Sequence, residues 1–216
     1  MANRPVFIPI GNAPYVDVVY PEFTWNGGFA ASQKQKNILA LHSSFRQRVP
    51  NRKPLEISSK SLQPLGVKLS AFHLKKYVPS LGQSVPLECV FQGGKVFFDG
   101  GPYTDLYTAT PREAKKDPRL RTGEPLLHFT FERELFPLRP RTAFYNWLYI
   151  NALGENPDLA EQILEFDAFT DIEFNPEKSI NCQAEAAALF IALHGKGLLD
   201  QCKDFHGFIQ CIDPKK

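Results

Sequence analysis

Residues Val85 to Tyr107, VPLECVFQGGKVFFDGGPYTDLY, and the later LLHFTFE at Leu126 to Glu132 decide how this chain is built. Short runs rich in Val, Phe and Tyr, broken by Gly-Gly pairs and proline, are the pattern of strands joined by tight connections. VPLECVFQ, GKVFFDGGPYTDLY and LLHFTFE therefore read as strands of a small antiparallel sheet in the middle of the chain, with a charged helical turn over Pro111 to Asp117. Upstream, LEISSKS and GVKLSAFHL give short alternations around a turn at Pro64 to Gly66, and Tyr15 to Tyr20 reads as extended. A helix is expected from about Phe29 to Phe45, after the turn at Asn26-Gly27-Gly28. Downstream the period changes: Thr142 to Leu153, Pro157 to Phe166 and the Ala-rich run Ala184 to Leu193 read as helices, the last ended by Gly195. Strands and helices are segregated rather than alternating, so the class is α+β, with a predominantly helical core. One domain over 1–216 is expected, with 75–135 a strand-rich insertion.

The composition is that of a folded globular chain: 216 residues, 43% hydrophobic, with 18 Phe and 7 Tyr. No apolar run approaches the roughly 20 residues of a membrane span, and prolines break the N-terminal segment, so a soluble cytosolic chain without membrane contact is expected. Cys89, Cys182, Cys202 and Cys211 form neither a C-x-x-C pair nor a dense framework, and are expected to be free buried thiols. Five scattered histidines lack the spacing of a metal site, and Gly93-Gly94-Lys95 and Gly100-Gly101 lack that of a P-loop or dinucleotide fingerprint.

The net charge of +2 conceals an asymmetry. Lys34 to Lys76 carries ten Lys or Arg against one acid, Glu56, whereas Thr142 to Glu177 carries eight acids and no Lys or Arg. Opposite blocks can simply draw two segments together. Alternatively, the loop bearing Arg46, Arg48, Arg52 and Lys53 suits phosphates of a nucleic acid.

Ala168 to Ala184, AFTDIEFNPEKSINCQA, sets carboxylates, amides and a thiol among phenylalanines. Polar groups leaving water need partners or a ligand. The plain alternative is a polar turn in which Ser179 or Asn181 caps the next helix. On the first helix, projection at about 100° per residue puts Phe29, Gln33, Lys36 and Ala40 on one face and Ile38, Leu41 and Phe45 on the other, so both sides look packed. Lys36 would then be partly desolvated, with Lys34 toward the other face; the alternative is a snorkelling surface lysine. A neutral lysine amine attacks an anomeric carbon, and carboxylates supply the proton transfers, which makes Lys36, Asp171 and Glu56 the catalytic candidates.

WNGGFAASQKQKNILALH, PLEISSKS, KLSAFHL, GGKVFFDGGPYTDLY, TAFYNWLYINAL and FTDIEFNPEKSINCQA together resemble the NADAR antitoxins encoded beside DarT-type DNA ADP-ribosyltransferases. The resemblance spans nearly the whole chain. It implies a YbiA-like fold and a cytosolic enzyme that removes ADP-ribose from the amino group of guanine in DNA, opposing a toxin partner, with no metal or organic cofactor. Gln33 and Lys36 match a Gln and a Lys three residues apart in the broader YbiA-like group, whereas Phe29-Ala30 stands where that group tends to have Glu-His. ADP-ribosylated DNA as substrate and ADP-ribose as product would use Trp25, Phe97, Tyr103 and Phe169 as stacking platforms, and Lys60 and Lys95 with Ser59 at the diphosphate. Gly28, Ser32 and Gln33 line the start of the helix, with Asn175, Asn181 and Gln183 as orienting groups. An N-glycosidase acting on a small phosphorylated nucleotide and a non-catalytic toxin-binding antitoxin are the alternatives.

Overall fold

In the computed structural model, which describes residues 1–177 and 179–213, segments from the first and last quarters of the chain meet in one sheet. Its strands are β2 (Val6–Pro9), β3 (Val16–Val19), β5 (Pro54–Glu56) and β11 (Ala168–Thr170), in the order β3-β2-β11-β5. β11 pairs antiparallel with β2 and parallel with β5, which sets Thr170 opposite Glu56. Two very short strands, β1 (Ala2–Asn3) and β4 (Glu22–Phe23), pair beside it.

One side of the sheet is covered by α1 (Ala31–Arg48), which buries Ile38, Leu41 and Phe45 with Val6, Ile8, Phe23, Ala168 and Ile172. Phe29, counted in the sequence as an anchor of this helix, precedes it and is 99% exposed. The buried stripe is therefore Asn37, Ile38, Leu41, His42 and Phe45 alone, and Lys36 lies outside it, exposed. The expectation that both faces are packed is corrected accordingly.

Beyond the sheet lies the main core. α5 (Ala143–Gly154) is apolar nearly all round, as a helix buried on every side must be, and packs on α7 (Gln183–Gly195). Alanines at 184, 186, 187, 188 and 192 let the neighbours of α7 approach closely. Phe144 and Trp147 of α5 stack with Phe129, Phe136 and Phe205. α6 (Pro157–Ile163) and α8 (Phe205–Ile212) complete this layer.

The middle of the chain departs from its expected strands in three places, one of them Thr104–Thr108, a 3-10 helix at the end of GKVFFDGGPYTDLY. Only β7 (Gln83–Pro86), paired with β6 (Lys75–Val78), precedes a helix α3 over Leu87–Gly93, so most of VPLECVFQ is helical. Pro86 at its N-cap starts this helix, and every residue of it is buried, so burial on all sides hid the helical period. GVKLSAFHL likewise begins in α2 (Pro64–Lys68), with Pro64 in the first turn. An antiparallel sheet does form, from β8 (Lys95–Phe97) and β9 (Leu126–Phe131) as expected but with β10 (Glu134–Phe136) as its third strand in place of VPLECVFQ, and α4 (Pro111–Lys116) is the charged turn, closed by a Thr110–Glu113 capping box. Among the described residues no helix is long and apolar enough to cross a membrane.

The opposed charge blocks face one another. Lys34 pairs with Glu173, Arg52 with Asp167, Lys53 with Glu165 and Lys76 with Glu155. Two cations of the loop expected to meet phosphates are thus engaged inside the molecule.

α2 approaches β5 so closely that a Cβ on Gly66 would lie 1.9 Å from the Glu56 carbonyl oxygen. Gly66→Ala is expected to cost on the order of 1–3 kcal/mol, read as a lower urea midpoint with an unchanged slope. An unaltered midpoint would show that α2 shifts freely.

Candidate functional site

A cleft of about 770 Å³ opens where the β5–α2 connection, α3, α4 and the segment between β11 and α7 converge. One end of it is acidic. Asp171 follows the last residue of β11 and is 7% exposed; its Oδ1 accepts from the Glu173 amide at 3.0 Å and its Oδ2 from Gln183 Nε2 at 2.9 Å. Behind it Glu56 is buried by β5, accepting from the Thr170 hydroxyl at 2.5 Å and the Ile172 amide at 2.8 Å. His42 Nε2 stands 2.8 Å from the same hydroxyl. Since Thr170 gives its proton to Glu56, His42 must be the tautomer that donates from Nε2. Burial, and then the charge of Arg46, hold His42 down at about 4, so it is neutral at pH 7.

Two carboxyls so placed do not both ionise easily. Burial, and then the neighbouring Glu56, push Asp171 up to about 8; burial also raises Glu56, against the hydrogen bonds it accepts. Gln183 fixes the arrangement at three points: its carbonyl oxygen accepts from the Ala71 amide at 2.8 Å, and its amide nitrogen donates to Ile57 O and to Asp171.

The other end is basic. Lys95 Nζ donates to Gln92 Oε1 at 2.7 Å and lies 5.0 Å above the Phe91 ring. Burial lowers Lys95 to about 8, with Lys115 pushing the same way and Glu88 opposing. Arg112, Lys115 and Lys116 of α4 and Lys60 also line the cleft.

Of the residues singled out in the sequence, Ser59, Lys60, Lys95, Asp171, Asn181 and Gln183 line this one cleft, with Glu56 directly behind Asp171. Others lie elsewhere. Phe169 is fully buried in the core, and Phe97 is buried in β8. Tyr103 is covered by the Arg119 guanidinium at 4.5 Å. Trp25 lies outside the cleft, with Arg4 and Lys34 at 5.1 and 5.4 Å from its ring centroid. Asn175 turns back to accept from the Glu177 amide. Gly28 adopts a positive φ of 115° that brings it against the Gln33 side chain, and neither these two nor Ser32 line the cleft.

The two lysines of α1 are reversed from expectation. Lys34, with 19% of its side chain exposed, bonds Glu173 Oε1 at 3.0 Å and so reaches a residue of the cleft rim, whereas Lys36 is exposed; neither lysine itself lines the cleft. The helix cap also differs: Cys182 occupies the N-cap of α7, leaving Ser179 and Asn181 on the cleft wall. All four cysteines are buried and free.

Fold and cleft together define an α+β protein whose site sets a buried carboxyl pair at one end and a group of cations at the other. Residues 2–216 match the family described as DarT1-associated NADAR antitoxin, and the chain belongs to that family. No curated protein matches it.

Asp171 binds its proton in the folded chain up to about pH 8 but releases it near 3.8 when unfolded. The folded state therefore holds more protons between these values, and the stability this gives at low pH is lost as pH rises from about 4 through 8. Asp171→Asn is expected to flatten that decline in urea midpoints measured across the window; an equally steep decline in the variant would assign it to another group.

Proposed function

We propose that the protein hydrolyses the N-glycosidic bond between ADP-ribose and the amino group of guanine in DNA, so reversing the modification made by its partner DNA ADP-ribosyltransferase. Membership of the NADAR antitoxin family supports the reading. The observation that carries it is a carboxyl still protonated near neutral pH, Asp171, at one end of a cleft whose other end gathers Lys60, Lys95, Arg112, Lys115 and Lys116. A diphosphate needs such cations, and a leaving nitrogen needs such an acid.

Lys34 replaces Lys36 as the amine in this scheme, because its partner Glu173 lines the cleft beside Asp171. Glu173 takes the ammonium proton, and the free amine attacks the anomeric carbon. As the bond to the guanine nitrogen breaks, Asp171 gives that nitrogen its proton. The glycosylamine opens to a Schiff base, to which water adds while the Asp171 carboxylate accepts its proton; the lysine then departs, recovering its proton from Glu173. Glu56 keeps Asp171 protonated and touches no substrate atom.

Hydrolysis of a small phosphorylated nucleotide is the second reading. It is favoured by the engagement of Arg52 and Lys53 with Asp167 and Glu165, which removes the most obvious polynucleotide contact.

Asp171→Asn is expected to slow release of ADP-ribose from modified DNA by at least about a hundredfold at saturating substrate. Borohydride should trap the sugar on Lys34, Lys34→Arg should abolish the trap, and Lys36→Arg should retain activity. Release at the normal rate from Lys34→Arg would sink the covalent route, and a wild-type protein that leaves modified DNA intact would end the proposal.

A further inference from the structure

A second cavity, of about 510 Å³, adjoins the first and shares with it Leu126, Phe129, Tyr145, Ile180 and Asn181. Nothing in the scheme above uses it. Its chemistry differs from that of its neighbour: apolar and aromatic side chains form the floor, and among the described residues no acidic one lines it and its only charged lining groups are Arg139 and Arg141 in the link between β10 and α5. Both arginines are exposed, and neither has a carboxylate partner among the described residues. This sets them apart from Arg52 and Lys53, whose charges are met inside the fold. Ile180, half exposed at 53%, stands on the ridge between the two cavities.

We infer that this second cavity is the strand groove: it seats the nucleotide next to the modified base of a single-stranded nucleic acid, with Arg139 and Arg141 meeting the flanking phosphates. The inference rests on the hydrolase reading. A base carrying ADP-ribose is also tied to a polymer, and when the ADP-ribose fills the first cleft the polymer must leave through a wall the cleft shares with another opening. The shared ridge at Ile180 and Asn181 is such a wall. An apolar floor beneath a cationic lip is what a single strand requires, because unpaired bases offer flat apolar faces while the backbone offers charge; paired bases in a duplex keep those faces covered. The small-substrate and polymer readings are thereby separated in space, since a free nucleotide would occupy the first cleft alone.

The test compares two substrates, ADP-ribosylated guanosine and a single-stranded oligonucleotide bearing the same modification, with wild-type protein and the Arg139→Gln/Arg141→Gln double variant. The expected result is a KM for the oligonucleotide raised on the order of tenfold, with a log–log salt dependence shallower by about 1.4 for two lost phosphate contacts, and an unchanged rate on the nucleoside. An unaltered KM and salt slope for the oligonucleotide, or equal losses on both substrates, would overturn the groove. If wild-type protein cleaves neither substrate, the hydrolase reading fails on its own, and fluorescence anisotropy of an unmodified single strand still decides the groove. Binding weakened in the double variant supports it, and undiminished binding rejects it.

Discussion

The parallel pairing of β5 with β11 sets Thr170 opposite Glu56, and the rest of the site depends on that register. A slip of one residue would turn Thr170 to the other face of the sheet and leave a buried carboxylate without its hydroxyl donor. Held in register, Glu56 is bonded by Thr170 and Ile172, Thr170 is bonded in turn by His42 of α1, and Asp171 emerges from the strand end into the cleft. A buried carboxyl is costly, and here the cost is what keeps a second carboxyl protonated.

The same pairing explains the charge asymmetry of the chain. Strand β5 lies in the basic block and β11 in the acidic one, and ion pairs at Arg52–Asp167 and Lys53–Glu165 sit just outside the paired residues. These pairs are at least a third exposed and add little stability each. Their effect is on specificity: they favour this alignment of two remote segments.

Helices with long apolar periods were legible in the sequence, as were the α+β class and strands β8 and β9; the third strand β10 and the interspersing of helices with strands were not. Wholly buried short segments were not, because burial on all sides erases the difference between periods of 2 and 3.6. That loss concealed α3 and with it Glu88 and Gln92, whose i,i+4 spacing behind Pro86 was the available sign of a helix. The polar run after β11 announced itself, since Asp171, Asn181 and Gln183 all reach the cleft. The face with Ile38, Leu41 and Phe45 is buried as the projection has it, but the face with Lys36 loses its aromatic neighbour because Phe29 is exposed. Thr170 bonds Glu56, 114 residues away, and His42, 128 residues away, distances no local pattern spans.

The arrangement of the cleft also fixes when it can exist. Its walls come from residues near 58, 71, 92, 115, 145 and 181, and β11 must pair both with Val6 and Phe7 and with Leu55 and Glu56. Contacts of such sequence separation form late in folding and require nearly the whole chain to have left the ribosome. Until β11 docks on β2 and β5, the two acidic groups stay in water, and the shifted proton affinities of the cleft arise only with that docking.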